Sequence, residues 1–128
     1  MAATLVVVGG CGGSVNGNPS APALQSLGSV TLAPGGKGLA RPLPPDWEIT
    51  MRVWFPTRPS TLRAELGSAA VMVFDGSHIW HRVELTSRGL LVDGQRTGTS
   101  SLPAASVTLR AEHGPVDIRE LVIRRRRG

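Results

Sequence analysis

Apolar and polar residues alternate along most of the chain, and this alternation predicts β-strands. The clearest case is residues 46–55, in which every second position is apolar: Trp47, Ile49, Met51, Val53 and Phe55. Successive side chains of a strand point to opposite faces of its sheet, so a two-residue period marks a strand with one buried and one hydrated face. No segment shows a sustained helical period. The pattern therefore predicts an all-β protein.

Residues 79–98 are the most informative stretch, because they predict two strands joined and followed by tight turns. Apolar side chains share the inward parity of the first strand, and only His81 interrupts them. The apolar members are Ile79, Val83 and Leu85. We expect His81 to be a partly buried histidine with a hydrogen-bond partner. Arg88-Gly89 predicts the first turn, and Asp93-Gly94 tolerates the positive φ angles that a hairpin turn requires.

Strands are also predicted on both sides of this stretch. Residues 27–33, 61–66 and 107–112 alternate in the same way. Residues 39–45 contain three prolines, which restrict them to a sheet edge or a loop because proline lacks a backbone donor. Residues 69–74 are a continuous apolar run, typical of a strand buried on both faces. An Asp75-Gly76 hairpin is predicted to follow this run.

The last predicted strand changes parity along its length. Val116 and Ile118 share one parity, whereas Leu121 and Ile123 share the other. Both pairs can face the core only if one additional residue is inserted between them. We therefore expect a β-bulge near residues 119–120.

Length and composition fit a single domain. The chain has 128 residues, and its 41% hydrophobic and 18% charged residues are ordinary for a globular protein. Its 16 glycines and 10 prolines indicate many turns, as in all-β folds. The predicted organisation is an N-terminal segment at 1–26, a β-sandwich domain at 27–124 and a basic tail at 125–128.

The net charge of +5 comes largely from the C-terminal end, where residues 124–127 are all arginine. A terminal basic run is usually a solvated end of the chain. No aromatic residue is interleaved with it to stack on bases, so we expect no nucleic-acid partner.

The single cysteine, Cys11, excludes an internal disulfide framework and a multi-cysteine metal site. It follows an apolar run and two glycines, and this arrangement resembles the lipobox of a bacterial lipoprotein signal. The resemblance implies an exported protein anchored to a membrane through Cys11, with the Gly-, Ser-, Asn- and Pro-rich residues 12–26 as a tether. Against it, no Lys or Arg follows Met1 and the apolar run is short. The alternatives are that the run forms a first β-strand or an unstructured end.

Two motifs carry a resemblance to known folds. The pattern W-H-x-V-x-L at residues 80–85, followed by L-x-V-D-G at 90–94, resembles the laminin-G-like branch of the concanavalin A-like jelly rolls. Residues 115–123 are similar to the last strand of the bacterial 3-keto-disaccharide hydrolase family, which has the same broad fold. The resemblance implies an antiparallel β-sandwich of the jelly-roll type. It also implies a glycoside hydrolase as one alternative activity, although the chain is short for that family and matches no catalytic motif.

Candidate catalytic and metal-binding groups are weakly supported. Residues 75, 78, 81 and 84 (Asp, His, His and Glu) recur at every third position, but in a strand this spacing sends side chains to opposite faces. We therefore expect no metal and no other cofactor. Four glutamates occupy outward positions next to arginines, which favours cross-strand ion pairs over catalysis: Glu48, Glu65, Glu84 and Glu112. The sequence contains no G-x-S-x-G or P-loop motif.

The predicted outward face of the central strands offers a binding surface. If residues 46–55 and 79–85 share a sheet, Trp54 and Trp80 join Arg52, Arg82 and Glu84 on that face. Indole rings beside guanidinium and carboxylate groups can stack on a sugar and bind its hydroxyls. We therefore predict non-catalytic binding of a carbohydrate or cell-envelope polymer. The alternatives are a hydrolase and a structural module that self-associates through sheet edges or these tryptophans.

Overall fold

The computed structural model describes residues 2–4, 17–56, 60–67, 69–74, 79–98 and 104–126. These residues form eleven strands and no helix. The strands are β1 (Ala2–Thr4), β2 (Leu24–Leu32), β3 (Leu39–Pro42), β4 (Trp47–Trp54), β5 (Thr61–Leu66), β6 (Ala69–Phe74), β7 (His81–Thr86), β8 (Gly89–Val92), β9 (Gln95–Gly98), β10 (Ser106–Glu112) and β11 (Val116–Arg125).

The strands form two antiparallel sheets, as expected for a β-sandwich. The five-stranded sheet has the order β1-β6-β5-β10-β3, and the six-stranded sheet has the order β2-β11-β4-β7-β8-β9. All named strand pairs in both sheets are antiparallel. The prediction of an all-β fold is therefore confirmed. The proline-containing strand β3 lies at a sheet edge, also as predicted.

One cluster of buried apolar side chains, drawn from both sheets, forms the core. Strand β4 and the residue after its end contribute the five apolar residues of the predicted alternation, each at most 2% exposed. Burial of such a side chain stabilises the fold by about 1.5–3 kcal/mol. The polar members of β4 are left on the outer face of the six-stranded sheet.

A β-bulge interrupts β11, as the change of parity predicts. The register with β4 shifts between Arg119 and Val122, and the register with β2 shifts between Ile118 and Leu121. Glu120 has a φ of 52°, a left-handed conformation that non-glycine residues rarely adopt. The insertion keeps Ile118 and Leu121 buried while Arg119 and Glu120 are both exposed.

The turns around β8 agree with the sequence to within one residue. Asp93 and Gly94, with φ angles of 52° and 81°, join β8 to β9. The preceding turn consists of residues 87–88, so it begins one residue earlier than predicted. The predicted Asp75-Gly76 turn lies outside the described residues.

Three sequence expectations differ from the structure. Ile79 is 53% exposed rather than inward, because β7 begins only at His81. Met72 is only half-buried, although Ala70 and Val71, which lie on opposite faces of β6, are both buried. Strand β2 begins at Leu24, within the segment predicted to be a linker.

Part of the N-terminal segment lies against the sandwich. The amide of Gly17 donates a 2.7 Å hydrogen bond to the carbonyl of Ala104, and that of Asn18 donates one of 2.6 Å to Leu43. A Cβ atom at Gly17 would lie 2.4 Å from the Pro44 carbonyl oxygen, so only glycine fits there. Strand β1 pairs with β6 in the five-stranded sheet. Cys11, the predicted lipid attachment site, lies outside the described residues.

Candidate functional site

Three arginines lie side by side on the outer face of the six-stranded sheet. Strands β11, β4 and β7 are neighbours, and their register places Arg119 opposite Arg52 and Arg52 opposite Arg82. Neighbouring strands are about 4.8 Å apart, so the three Cα atoms span about 10 Å across the sheet. We call Arg119, Arg52 and Arg82 the arginine row.

Two tryptophans adjoin one end of this surface. Trp54 ends β4 and Trp80 precedes β7, so the antiparallel pairing of these strands brings the two residues together. Their ring centroids are 5.4 Å apart with an interplanar angle of 54°. Both side chains are half-buried. The condition on which the predicted binding surface depended, that the two strands share a sheet, is therefore met.

Trp80 is the contact point between the tryptophans and the arginine row. The Cζ atom of Arg119 lies 4.7 Å from its ring centroid, and that of Arg52 lies 5.8 Å from it. Cation–π contacts of this kind contribute about 0.5–1 kcal/mol at exposed sites. They also hold two flexible guanidinium groups close to one ring.

Glu84 completes the set of predicted site residues. Its Oε1 accepts a hydrogen bond from Arg82 Nε at 2.9 Å, and the side chains are 27% and 69% exposed respectively. All of the residues predicted to bind ligand thus lie on one face of the six-stranded sheet: Trp54, Trp80, Arg52, Arg82 and Glu84. Their role in binding stays a prediction.

A groove of about 460 Å³ runs along this face beside the arginine row. It contains guanidinium, carboxylate and hydroxyl groups as well as apolar side chains. The lining residues are Thr50, Met51, Arg52, Arg82, Glu120 and Val122. Such a surface can bind a ligand that carries hydroxyl and charged groups together.

Sequence reasoning did not assign Arg119 and Glu120 to the site, although it placed the bulge there. The bulge exposes both residues on consecutive positions, next to β4. Bulges commonly reorient side chains next to binding sites. The break in parity was the available signal, since it identified the two residues that an uninterrupted strand would direct to opposite faces.

A buried histidine fixes the backbone beneath the site. His81 is 1% exposed, and its Nδ1 lies 2.7 Å from Asp93 Oδ2. The other carboxylate oxygen of Asp93 accepts the Arg82 amide at 2.9 Å, and the Asp93 amide donates to the Arg82 carbonyl at 2.8 Å. The expectation of a histidine with a hydrogen-bond partner is confirmed. The β8–β9 turn therefore holds Arg82 in place at the site.

The same geometry bears on the candidate metal ligands. His81 is buried beside Asp93, whereas Glu84 is bonded to Arg82 on the outer face. Asp75 and His78 lie outside the described residues. Within the part of the chain that the structure describes, no group of three or more His, Cys, Asp or Glu side chains is placed to hold a metal ion.

Three of the four outward glutamates form the predicted cross-strand ion pairs, whereas Glu84 pairs with Arg82 of its own strand. Glu112 Oε1 lies 3.5 Å from Arg63 Nη1, and Glu65 bonds Arg110, both on the outer face of the five-stranded sheet. On the six-stranded sheet, Glu48 Oε2 accepts from Arg124 Nε at 2.9 Å, a partner that the sequence did not indicate. These carboxylates neutralise neighbouring arginines.

The first residues of the basic C-terminal end are held by the six-stranded sheet. Strand β11 continues to Arg125, whose amide donates to the Ala23 carbonyl, and the Arg126 amide donates to the Asp46 carbonyl. A second groove of about 390 Å³ is lined here by Glu48, Arg124, Arg125 and Arg126. The described arginines of the predicted tail are thus anchored by their backbone.

Comparisons with known proteins add no further assignment. No family model matches the chain, and no curated protein or solved structure matches it. Among the residues with described positions, none lies in a helix that is long and apolar enough to cross a membrane.

Proposed function

We propose that this protein is a non-catalytic carbohydrate-binding β-sandwich domain that binds a polysaccharide or cell-envelope polymer on the outer face of its six-stranded sheet. The observation that carries the proposal is the placement of Trp54 and Trp80, 5.4 Å apart, beside the arginine row. Aromatic rings next to convergent polar groups are the usual components of a sugar-binding surface.

The proposed roles follow from the chemistry of each group. The exposed parts of Trp54 and Trp80 contact the apolar face of a sugar ring. Arg52 and Arg82 donate hydrogen bonds to ring substituents, since a guanidinium carries several donors in one plane. Glu84 accepts hydrogen bonds from hydroxyl groups while Arg82 holds its carboxylate in place.

Non-catalytic binding is favoured over glycoside hydrolysis by the state of the acids. Hydrolysis needs two carboxyl groups facing each other across the sugar, about 5–9 Å apart. Glu48 and Glu84 are each bonded to an arginine, and Glu65 and Glu112 lie on the other sheet. Glu120 is the only carboxyl group among the described residues that line the groove, so no second acid faces it there. Glycoside hydrolysis and self-association are the alternatives that the experiments below distinguish.

A glycan array probed with the full chain tests the proposal. Selective retention of one glycan class is expected, and Trp54→Ala and Trp80→Ala should each abolish it without unfolding the domain. Arg63→Ala, on the opposite outer face, is the matched control and should retain binding. If no glycan on the array is bound and the mass measured by light scattering rises with concentration, self-association would replace glycan binding as the function.

Two further measurements separate the alternatives. Release of product from a bound glycoside, lost in Glu84→Gln and Glu48→Gln, would identify a hydrolase and contradict the non-catalytic assignment.

Export with lipid attachment at Cys11 belongs to the same proposal and is supported by the sequence pattern. Labelling with a palmitate analogue should be lost in Cys11→Ser. Equal labelling of this variant and the unmodified protein would contradict lipid attachment at Cys11.

A further inference from the structure

Resting on the proposed function, we propose that the polymer is acidic and that the arginine row binds its carboxylate or sulfate groups. The three guanidinium groups lie across adjacent strands at directly opposite positions. Like charges at such positions destabilise a sheet, so the arrangement is unfavourable until an anion compensates it. The row therefore provides an anion site in the free protein.

On the opposite face of the sandwich, two opposed arginines are neutralised by glutamates of the same sheet. Arg63 and Arg110 are also directly opposite each other, on β5 and β10. Each of them forms an ion pair with a glutamate of the neighbouring strand, Glu112 and Glu65 respectively. Charge there is cancelled within the sheet.

The arginine row is only partly neutralised. Arg82 is bonded to Glu84, but neither Arg52 nor Arg119 forms an ion pair within the described residues. Both contact the Trp80 ring instead, at 5.8 and 4.7 Å. Contact with the ring restricts their side chains without consuming their positive charge, which leaves the planar donors for an oxyanion.

Glu120 limits the strength of this anion site. It lines the groove with Arg52 and Arg82, and it forms no ion pair among the side chains that the structure describes. Its φ of 52° is costly for a residue with a side chain. The described residues that line the groove thus include two guanidinium groups and one carboxylate, so the lining carries a net positive charge.

The mixture of charges favours an acidic polysaccharide over a nucleic acid. An acidic sugar presents hydroxyl groups to the carboxylates of Glu84 and Glu120 and its own acid group to the arginines. A DNA strand presents a phosphate at every nucleotide but no hydroxyl groups along its length for the carboxylates to bind. The row spans about 10 Å, enough for acid groups on more than one position of a polymer.

Binding of the full chain to three immobilised polymers tests the inference: polygalacturonate, dextran sulfate and neutral dextran. We expect retention on one or both acidic polymers, and which of them binds identifies carboxylate or sulfate. Arg52→Gln and Arg119→Gln should each weaken it by about tenfold, the effect of losing one charge-assisted hydrogen bond. Arg63→Gln on the other sheet is the matched control and should bind as the unmodified protein.

Two additional variables sharpen the result. Glu120→Gln should tighten binding to the acidic polymer, because it removes the negative charge from the groove while keeping the bulge. Raising the salt from about 0.1 M to about 1 M should release the acidic polymer, because screening shortens from about 10 Å to about 3 Å. Thermal melts of every variant confirm that the fold is retained.

The outcomes distinguish this inference from the proposed function. Equal binding to neutral dextran, or arginine variants that bind the acidic polymer normally, would overturn the anion site and leave carbohydrate binding intact. Single-stranded DNA bound more tightly than either acidic polymer, with the same arginine dependence, would overturn the choice of polysaccharide. Failure to bind any glycan, acidic or neutral, would remove both proposals.

Discussion

The two outer faces of the sandwich use the same residue types and arrange them differently. On the five-stranded sheet, Arg63 and Arg110 oppose each other, and each forms an ion pair with a glutamate. On the six-stranded sheet, three arginines oppose one another and only Arg82 has a carboxylate partner among the described residues. The opposed arginines of the first face are neutralised by glutamates of the same sheet, whereas those of the second face retain positive charge that a ligand can compensate.

The energies involved explain why the protein tolerates this difference. An exposed ion pair contributes about 0–1 kcal/mol, and a like-charge pair directly opposite costs a similar amount. The core beneath both faces contributes far more, since each large buried side chain is worth about 1.5–3 kcal/mol. A surface can therefore give up electrostatic stability for binding while the sandwich remains folded.

The largest expected effect comes from substituting a residue of the core, which lies beneath both outer faces. Ile49 on β4 is fully buried, and Ile49→Ala should lower the free energy of unfolding by about 2–5 kcal/mol because a cavity remains. The adjacent Thr50→Ala, on the outer face, should change it by less than about 0.5 kcal/mol. Urea unfolding of both variants measures this contrast, and equal losses would contradict the assignment of inward and outward positions.

A smaller loss of stability is expected from a substitution in the β8–β9 turn, which supports Arg82 on the outer face of the six-stranded sheet. Asp93→Ala removes the acceptor beside buried His81 and the acceptor of the Arg82 amide. Leaving such groups unpaired costs about 1–3 kcal/mol. Thermal melting should show this loss, together with weaker glycan binding.

Asp93→Asn is the control for that substitution. It keeps an acceptor for the Arg82 amide and a residue type that tolerates the φ of 52°. It should lose less stability than Asp93→Ala. An Asp93→Ala variant as stable as the unmodified protein would show that the turn does not fix the site.

The smallest effect is the sharpest test of the comparison, because the cost of losing an arginine should differ between the faces. Arg52→Thr relieves repulsion from arginines on both sides but loses a contact with Trp80 of similar size, so it should leave the stability nearly unchanged. Arg63→Thr breaks an ion pair with Glu112 and should destabilise the protein by about 0.5 kcal/mol. High salt should reduce the loss in Arg63→Thr and weaken the relief of repulsion in Arg52→Thr.

Unfolding curves of these two variants at low and high salt provide the measurement. Loss of stability in Arg52→Thr as large as that in Arg63→Thr would mean that the row is neutralised within the protein. The inferred need for an external anion would then disappear.

The sequence predicted the strands well where the alternation was uninterrupted. In β4 and β5, successive residues occupy opposite faces, so the pattern of letters determines which side is buried. It failed at Ile79, whose parity matched the strand although β7 begins two residues later. Periodicity cannot locate the end of a strand, because strand ends are set by hydrogen bonding to neighbours.

The candidate site could be predicted in part for the same reason. Trp54, Arg52, Arg82 and Glu84 follow from the outward parity of their own strands. Arg119 could not be assigned, because its contact with Trp80 depends on β11 pairing with β4, more than sixty positions away in the sequence. Local patterns carry no information about which distant strands become neighbours.

The sequence by itself therefore determined the class of fold, the inward and outward residues of each regular strand, and the positions of the Asp93-Gly94 turn and the bulge in β11. These features depend on interactions between residues close together in the chain. Only the tertiary structure decided that β11, β4 and β7 lie side by side, and hence that three arginines form a row. That arrangement depends on packing two sheets around one core, which the whole chain determines together.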